Sequence, residues 1–328
     1  MIITRTPFRV SFIGGGTDFE GYYRPHGGQV ISASIDKYIY VTVNHKFDKR
    51  IHLRYSEIEC VDCVADLKHN IAREALLMAG VEDSVEIAII SDVPTQGSGL
   101  GSSSSLSVGL LHALSTYKGI RRTPVDLAKM ACSLEIDNLK SPIGKQDQYA
   151  AAIGGFNLIS FNFHDKEAII FDRIEDKHVN KRRLCWLKES AMLFYINGRS
   201  SNGILVGHKN SIDSKLDVLH RQKMLVNPFL EWLCGKHDNK FLGELINASW
   251  ELKKQMTPAA TSGWIDSIVD NATKSGALGV KLCGAGGGGF MLVICDVSHQ
   301  KEVRESLGLL EMKFSFGSEG SKVIHHGD

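Results

Sequence analysis

Residues 97–105 read Gly-Ser-Gly-Leu-Gly-Ser-Ser-Ser-Ser, and directly behind them come Leu106, Val108, Leu110, Leu111 and Leu114. A Gly/Ser-rich stretch is usually a flexible linker. A linker is not normally followed at once by the buried face of a helix, which the leucine spacing predicts as far as Gly119. The segment therefore reads as a loop that delivers the chain to a helix N-terminus. Unpaired amide N–H groups and the positive end of the helix dipole then face whatever lies in front, and a phosphate suits both. No Gly-Lys-Ser/Thr follows the glycines, so this is not a Walker A loop, and it does not match GxGxxG. Phosphate would be held by amides and serine hydroxyls. A hydroxyl among Ser102, Ser103, Ser104 and Ser105 also offers the hard oxygen donor that Mg²⁺ takes. The bland alternative is a helix capped by serine.

Two further glycine clusters, Gly14–Gly16 and Gly284–Gly289, stand against apolar segments. Glycines grouped beside regular elements suggest backbone brought close to a ligand. The elements that must position them follow from pattern. Residues 1–13 read as a strand ending at the first cluster. The segment 27–47 reads as strand, turn and strand. "NIAREALLMAG" is a short helix stopping at Gly80, and "VEIAIISDVP" is the strand that feeds the glycine–serine loop. Thr123 and Pro124 read as N-cap and first-turn proline of the helix "VDLAKMACSLEIDNLK". "GKQDQYAAAIGG" is a shorter helix, "FNLISFNF" and "EAIIFDRI" a hairpin. Past residue 180 come the strand "AMLFYING", helical segments over 203–234, 238–256 and 262–276, and a strand pair, "GVKLCGAGGGGFMLVICD", broken by glycines. The expectation is an α+β chain in two halves, 1–180 and 181–328.

Three stretches occur in order: "PFRVSFIGGGTDF", "PTQGSGLGSSSS" and "KLCGAGGGGFML". Together they resemble the three signature motifs of the GHMP kinases, over nearly the whole chain. "PFRVSFIGGGTDFEGYY", "GLGSSSSLSVGLL" and "IGKQDQYAAAIGGFN" are similar to the branch acting on D-glycero-D-manno-heptose 7-phosphate and its fucokinase relatives. Galactokinases usually carry Gly-Glu-His-Thr-Asp where this chain has Gly14-Gly15-Gly16-Thr17-Asp18, which counts against galactose. The resemblance implies two α+β domains, the first like ribosomal protein S5 and the second ferredoxin-like, with the active site in the cleft between them.

It also implies roles. Pro94, Gly97, Gly99, Leu100, Gly101 and Ser102 to Ser105 would wrap the ATP phosphates, with Gly286 and Gly287 of the third motif bringing backbone to the nucleotide. Ser103 and Glu135 would ligate Mg²⁺; on sequence alone Asp137 could serve instead of Glu135. Asp147 matches the carboxylate that accepts or orients the sugar hydroxyl, and Arg9 the arginine beside it. Asp18, with Gly15, Gly16, Thr17 and Gly144, would line the sugar site; a turn-forming Asp is the plainer reading of Asp18. A sugar that already carries a phosphate needs a second anion site. Arg54, Lys145, Arg199, Lys209, Lys253 and Lys254 are candidates among which the sequence does not choose, and Trp250 reads as core.

The implied reaction is ATP- and Mg²⁺-dependent phosphorylation of the anomeric hydroxyl of a phosphorylated heptose. A kinase for another sugar such as fucose is the near alternative. A non-catalytic sugar or nucleotide sensor is the distant one, disfavoured because Arg9, Ser103, Glu135 and Asp147 are all present. A net charge of +1 gives no field that would argue for nucleic acid or an anionic membrane as partner. The N-terminal segment lacks a signal-peptide core, and seven scattered cysteines fit reduced thiols, so a cytoplasmic protein, monomeric or homodimeric, is expected. Cys60 and Cys63 form a lone CxxC without the partners of a zinc site.

Overall fold

The computed structural model describes residues 1–94, 97–161, 169–174, 179–196, 206–207 and 212–327. Arg199 and Lys209 lie outside these residues.

Strand β1 (Ile2–Ile13) lies along the full length of β2 (Gly28–His45), an 18-residue strand. The sequence suggests a turn within this stretch; the structure has a slip in register instead. Pro7 faces Tyr38, whereas Arg9 faces Ser34. Such bulges bend a strand and re-aim its side chains, and this one falls at Arg9. It also forks the sheet. The first part of β2 pairs with β6 (Phe156–Phe161), which pairs in turn with β7 (Ile169–Arg173). The second part pairs with β5 (Val85–Ser91), and β3 (Ile51–Arg54) and β4 (Ile58–Val61) extend that side. Residues 315–317 bridge the fork through Asp36 N to Ser315 O and Gly317 N to Ser34 O, 2.9 and 2.8 Å.

Helices α1 (Glu20–His26), α2 (Asn70–Ala79), α3 (Ser102–Tyr117), α4 (Pro124–Cys132) and α5 (Gln146–Ile153) belong to the same half. Helix α3 is buried almost all round, as its nearly continuous apolar sequence requires. Helix α4 opens on the expected Thr123–Pro124 start, with a full capping box to Asp126. It does not run on as α-helix: Ser133–Asn138 is π-helical, a local widening often found at functional sites.

In the second half, β8 (Ala191–Ile196), β9 (Ala277–Leu282), β10 (Gly289–Cys295) and β11 (Leu310–Met312) form an antiparallel sheet in the order β11-β8-β10-β9. Helices Asn239–Met256, Gly263–Lys274 and Gln300–Leu307 accompany it. Among the described residues, the helical region before residue 234 includes the helices Leu216–Met224 and Val226–Leu233, preceded by a 3-10 turn over Asp213–Lys215.

Two features tie the halves together. The last strand, β12 (Lys322–His326), returns to pair with β1. The larger core also runs across the division, with Phe12 and Phe156 of the first half 5.8 and 6.3 Å from Phe229 of the second. Trp250 is buried in a second core against the four-stranded sheet.

Candidate active site

The glycine–serine loop is held from below by β1. Arg9 N donates to Leu100 O at 3.0 Å and Ser105 Oγ to Pro7 O at 2.8 Å. Ser98 Oγ and Ser102 Oγ share a hydrogen bond of 2.6 Å. The helix behind the loop is not serine-capped. Its N-cap is Gly101, left-handed at φ 81°, and no side chain caps it. The serines fill the first turn instead, so among the described residues no side chain caps the helix start against a ligand. Thr95 and Gln96 lie outside the described residues, and Pro94 before them is exposed.

The third glycine cluster packs directly on this loop. A Cβ at Gly284 would stand 2.4 Å from Gly99 Cα, and one at Gly289 2.3 Å from Gly97 O. Backbone meets backbone here, which only glycine permits. The contact with the loop is thus made by Gly284 and Gly289. Gly286 and Gly287 back onto Ala260, Gly287 N donating to its carbonyl at 2.7 Å.

The π-helical turn presents Glu135 to the serines. Its carboxylate is buried and accepts hydrogen bonds from Ser103 and Ser104, and from Gln148 Nε2 at 2.7 Å. Burial pushes its pKa up to about 7. Asp137 is exposed, so of the two acids only Glu135 is buried against the serines. Of the four serines only Ser103 is exposed. A desolvated carboxylate beside an accessible hydroxyl is a donor set that fits Mg²⁺, which takes one or two protein oxygens and completes its shell with phosphate and water.

Asp147 sits in the first turn of α5 and is gripped by Arg9. Nε and Nη2 donate to its two oxygens, each at 2.7 Å, and Nη1 donates to Gly99 O at 2.8 Å. Arg9 is 3% exposed, whereas the Asp147 side chain keeps 24% of its surface open. The phosphate loop lies against this pair: a Cβ at Gly101 would be 3.4 Å from Asp147 Oδ2.

Asp18 is buried beneath the site, not open to it. Its Oδ1 accepts from Gly16 N and Gln146 Nε2, its Oδ2 from Gln146 N, at 3.0, 3.3 and 3.1 Å. Burial, then the neighbouring Asp147 charge, raises its pKa to about 6. Thr17 Oγ1 donates to Gly14 O at 2.8 Å and so closes the first glycine turn. Gly144 leaves room for Asp18: a Cβ there would fall 2.0 Å from Oδ2. In this arrangement Asp18 fixes the start of α5, the turn that carries Asp147, and Gly15 and Gly16 lie on its other side.

Sequence reasoning passed over Gln146 and Gln148, which hold Asp18 and Glu135 in place. Their signal was present in "GKQDQ": two amides flanking Asp147. Cys60 and Cys63 are exposed near β4, and no group of three or more His, Cys, Asp or Glu suited to a metal occurs among the described residues. No described helix is long and apolar enough to cross a membrane.

The family descriptions "GHMP kinases N terminal domain" and "GHMP kinases C terminal" match residues 61–155 and 230–309. A D-glycero-alpha-D-manno-heptose 7-phosphate kinase from Campylobacter jejuni is 30% identical, with 98% of each chain covered. An L-fucokinase/L-fucose-1-P guanylyltransferase from Bacteroides fragilis is 25% identical over 88% of this chain and 34% of its own length. The solved structure of a D-glycero-D-manno-heptose 1-phosphate kinase from Bacteroides thetaiotaomicron superposes with a TM-score of 0.80 at 22% identity, covering all of both chains, and so shares the fold. The α+β architecture, the loop geometry and these matches agree: the chain belongs to the GHMP kinases.

Proposed function

We propose that the chain is a cytoplasmic, ATP- and Mg²⁺-dependent kinase that phosphorylates the anomeric hydroxyl of D-glycero-D-manno-heptose 7-phosphate. The product is the 1,7-bisphosphate, on the route to nucleotide-activated heptose. One observation carries the chemistry: the Arg9–Asp147 pair lies against Gly101 at the mouth of the phosphate loop. The substrate follows from the heptose 7-phosphate kinase relative that matches end to end.

In this reading Asp147 uses its open face to accept the proton of the sugar hydroxyl. Two hydrogen bonds from Arg9 fix its direction and leave lone pairs for the substrate. The hydroxyl oxygen bonds to the γ-phosphorus as the bond to the β–γ bridging oxygen breaks, and ADP leaves. Amides of the Gly97–Gly101 loop and of the first turn of α3 hold the phosphate oxygens in line, which is where most of the rate comes from in phosphoryl transfer. Ser103 and Glu135 would hold Mg²⁺, which supplies neutralisation of the charge that builds on the phosphates.

The test is ADP release with Mg-ATP against heptose 7-phosphate, unphosphorylated heptose, fucose, galactose and mannose, with Asp147→Asn as control. Turnover of the 7-phosphate alone, lost in the variant, supports the assignment. Turnover of a plain sugar keeps the kinase and replaces the substrate; the L-fucokinase relative makes fucose the first alternative. Tight nucleotide binding with no turnover of any sugar removes the kinase reading.

A further inference from the structure

Three cations lie around the contact between the second and third glycine clusters, and two of them have no anion among the described residues. Arg9 reaches the second cluster through Gly99 O and is neutralised by Asp147. Lys281, on β9 and 6% exposed, donates from Nζ to Phe12 O at 2.6 Å, two residues before Gly14 of the first cluster, with Ser249 Oγ at 3.5 Å. Lys253, on helix Asn239–Met256 and partly buried, donates to Leu282 O at 3.2 Å and to Gly284 O of the third cluster. Among the described residues neither lysine has a carboxylate within ion-pair distance.

A buried charge is costly unless it is paired, and carbonyl partners repay only part of that cost. Burial, and for Lys253 also the Lys281 charge, pushes the two ammonium groups down to about 7 and about 8. Cys283, which follows Leu282 in the chain, supplies no anion, because burial holds its thiol neutral. Every partner of the two ammonium groups is uncharged: two carbonyls and the Trp250 ring, 5.9 Å away, for Lys253, and a carbonyl and a hydroxyl for Lys281.

Of the other basic candidates, Arg199 and Lys209 lie outside the described residues, and the rest have partners of their own. Arg54 pairs with Glu86 at 2.8 Å, Lys254 with Glu251 at 2.6 Å, and Lys145 is hydrogen-bonded to Tyr23. We infer that Lys253 and Lys281 form a phosphate subsite beside the contact between the second and third glycine clusters, completed when a ligand brings its own negative charge. The assignment rests on the kinase reading for its ligands: either the nucleotide's phosphates or the phosphate already on the acceptor sugar supplies the anion.

The experiment uses the full chain, with Lys253→Met and Lys281→Met as unbranched replacements. Melting temperature is read in inorganic phosphate and in chloride at equal ionic strength. Affinities are measured for a non-hydrolysable ATP analogue with Mg²⁺, for heptose 7-phosphate and for unphosphorylated heptose. The assignment expects phosphate, not chloride, to stabilise the wild type, and each methionine variant to lose that gain. It expects at least one phosphorylated ligand to bind about tenfold or more weakly. Loss confined to the ATP analogue makes the nucleotide the source; loss confined to heptose 7-phosphate, with plain heptose unchanged, makes it the acceptor. Folded variants that bind every ligand within about twofold of wild type overturn the subsite. Should neither variant fold, the wild type decides: no phosphate-specific stabilisation removes it. Phosphate-specific stabilisation that the variants lose, in an enzyme that does not turn over heptose 7-phosphate, leaves the subsite standing and the substrate reading fallen.

Discussion

Arg9 ties Asp147 to the phosphate loop: one guanidinium holds both oxygens of the carboxylate at 2.7 Å and the carbonyl of Gly99 at 2.8 Å. Carboxylate and loop are therefore positioned by the same group, which stands at the register slip between β1 and β2. Replacing Asp147 by Asn keeps the shape and removes the proton acceptor. The expected result is a fall in kcat of about 10²–10⁴-fold, with nucleotide affinity little changed. A fall in nucleotide affinity with kcat preserved would show that Asp147 serves the loop and not the sugar.

Arg9→Met removes both functions at once. It leaves Asp147 without its partner and Gly99 O without its donor. Both kcat and the KM for ATP should worsen, unlike the kcat-only effect of Asp147→Asn. Steady-state kinetics of the two variants side by side checks this; matching profiles would mean that Arg9 acts only on Asp147.

Gln148 directs Glu135 by a hydrogen bond of 2.7 Å, and its own Oε1 is a buried acceptor without a partner among the described residues. Outer partners of a ligand commonly control metal affinity by about 10–100-fold. Gln148→Ala should raise the Mg²⁺ concentration needed for half-maximal activity by about tenfold, leaving the KM for sugar near its wild-type value. Unchanged Mg²⁺ dependence would separate Glu135 from the metal or Gln148 from Glu135.

How much of this was legible follows from which signals are local. Glycine clusters and the apolar stripe of α3 are written in neighbouring residues, so the loop and its helix could be read directly. Arg9, Ser103, Glu135 and Asp147 came from the resemblance to the GHMP kinases, carried over position by position. Gln146 and Gln148 escaped because a neutral amide in a helix looks like any surface residue until its buried partner is known. The pairing of β12 with β1 spans more than 300 residues and has no local mark. The slip in β2 was mistaken for a turn because a bulge interrupts the alternation of side chains as a turn does. Lys281 was invisible for a different reason: the absence of a counter-ion is a property of the fold, not of the chain.

Asp18 gives the protein a specific response to pH. Its folded-state pKa, about 6, lies above the ordinary value of 3.8, raised by burial and by Asp147. A carboxyl raised on folding stabilises the protein below the unfolded value and loses that contribution as pH climbs through the folded one. The wild type should therefore lose stability relative to Asp18→Asn between about pH 4 and pH 6, by on the order of 3 kcal/mol, and run parallel to it above that window. Urea denaturation of both proteins across that range checks it. A constant offset would mean that Asp18 titrates normally and that its hydrogen bonds from Gly16 and Gln146 outweigh burial.

Gly284 and Gly80 separate close packing from backbone strain. Both are left-handed, at φ 59° and 61°. A Cβ at Gly284 would stand 2.4 Å from Gly99 Cα, whereas one at Gly80 meets nothing within 4 Å. Alanine at either position costs about 1–2 kcal/mol of left-handed strain. Only Gly284→Ala must also push the third glycine cluster off the phosphate loop. It should lower kcat/KM for ATP by about tenfold or more and destabilise the protein beyond Gly80→Ala. Gly80→Ala, at the end of α2, should lose stability with kinetics unchanged. Thermal melts and ATP-dependence curves for the pair decide the matter. Equal kinetics in both variants would show that the contact between the two glycine clusters is not what shapes the nucleotide site.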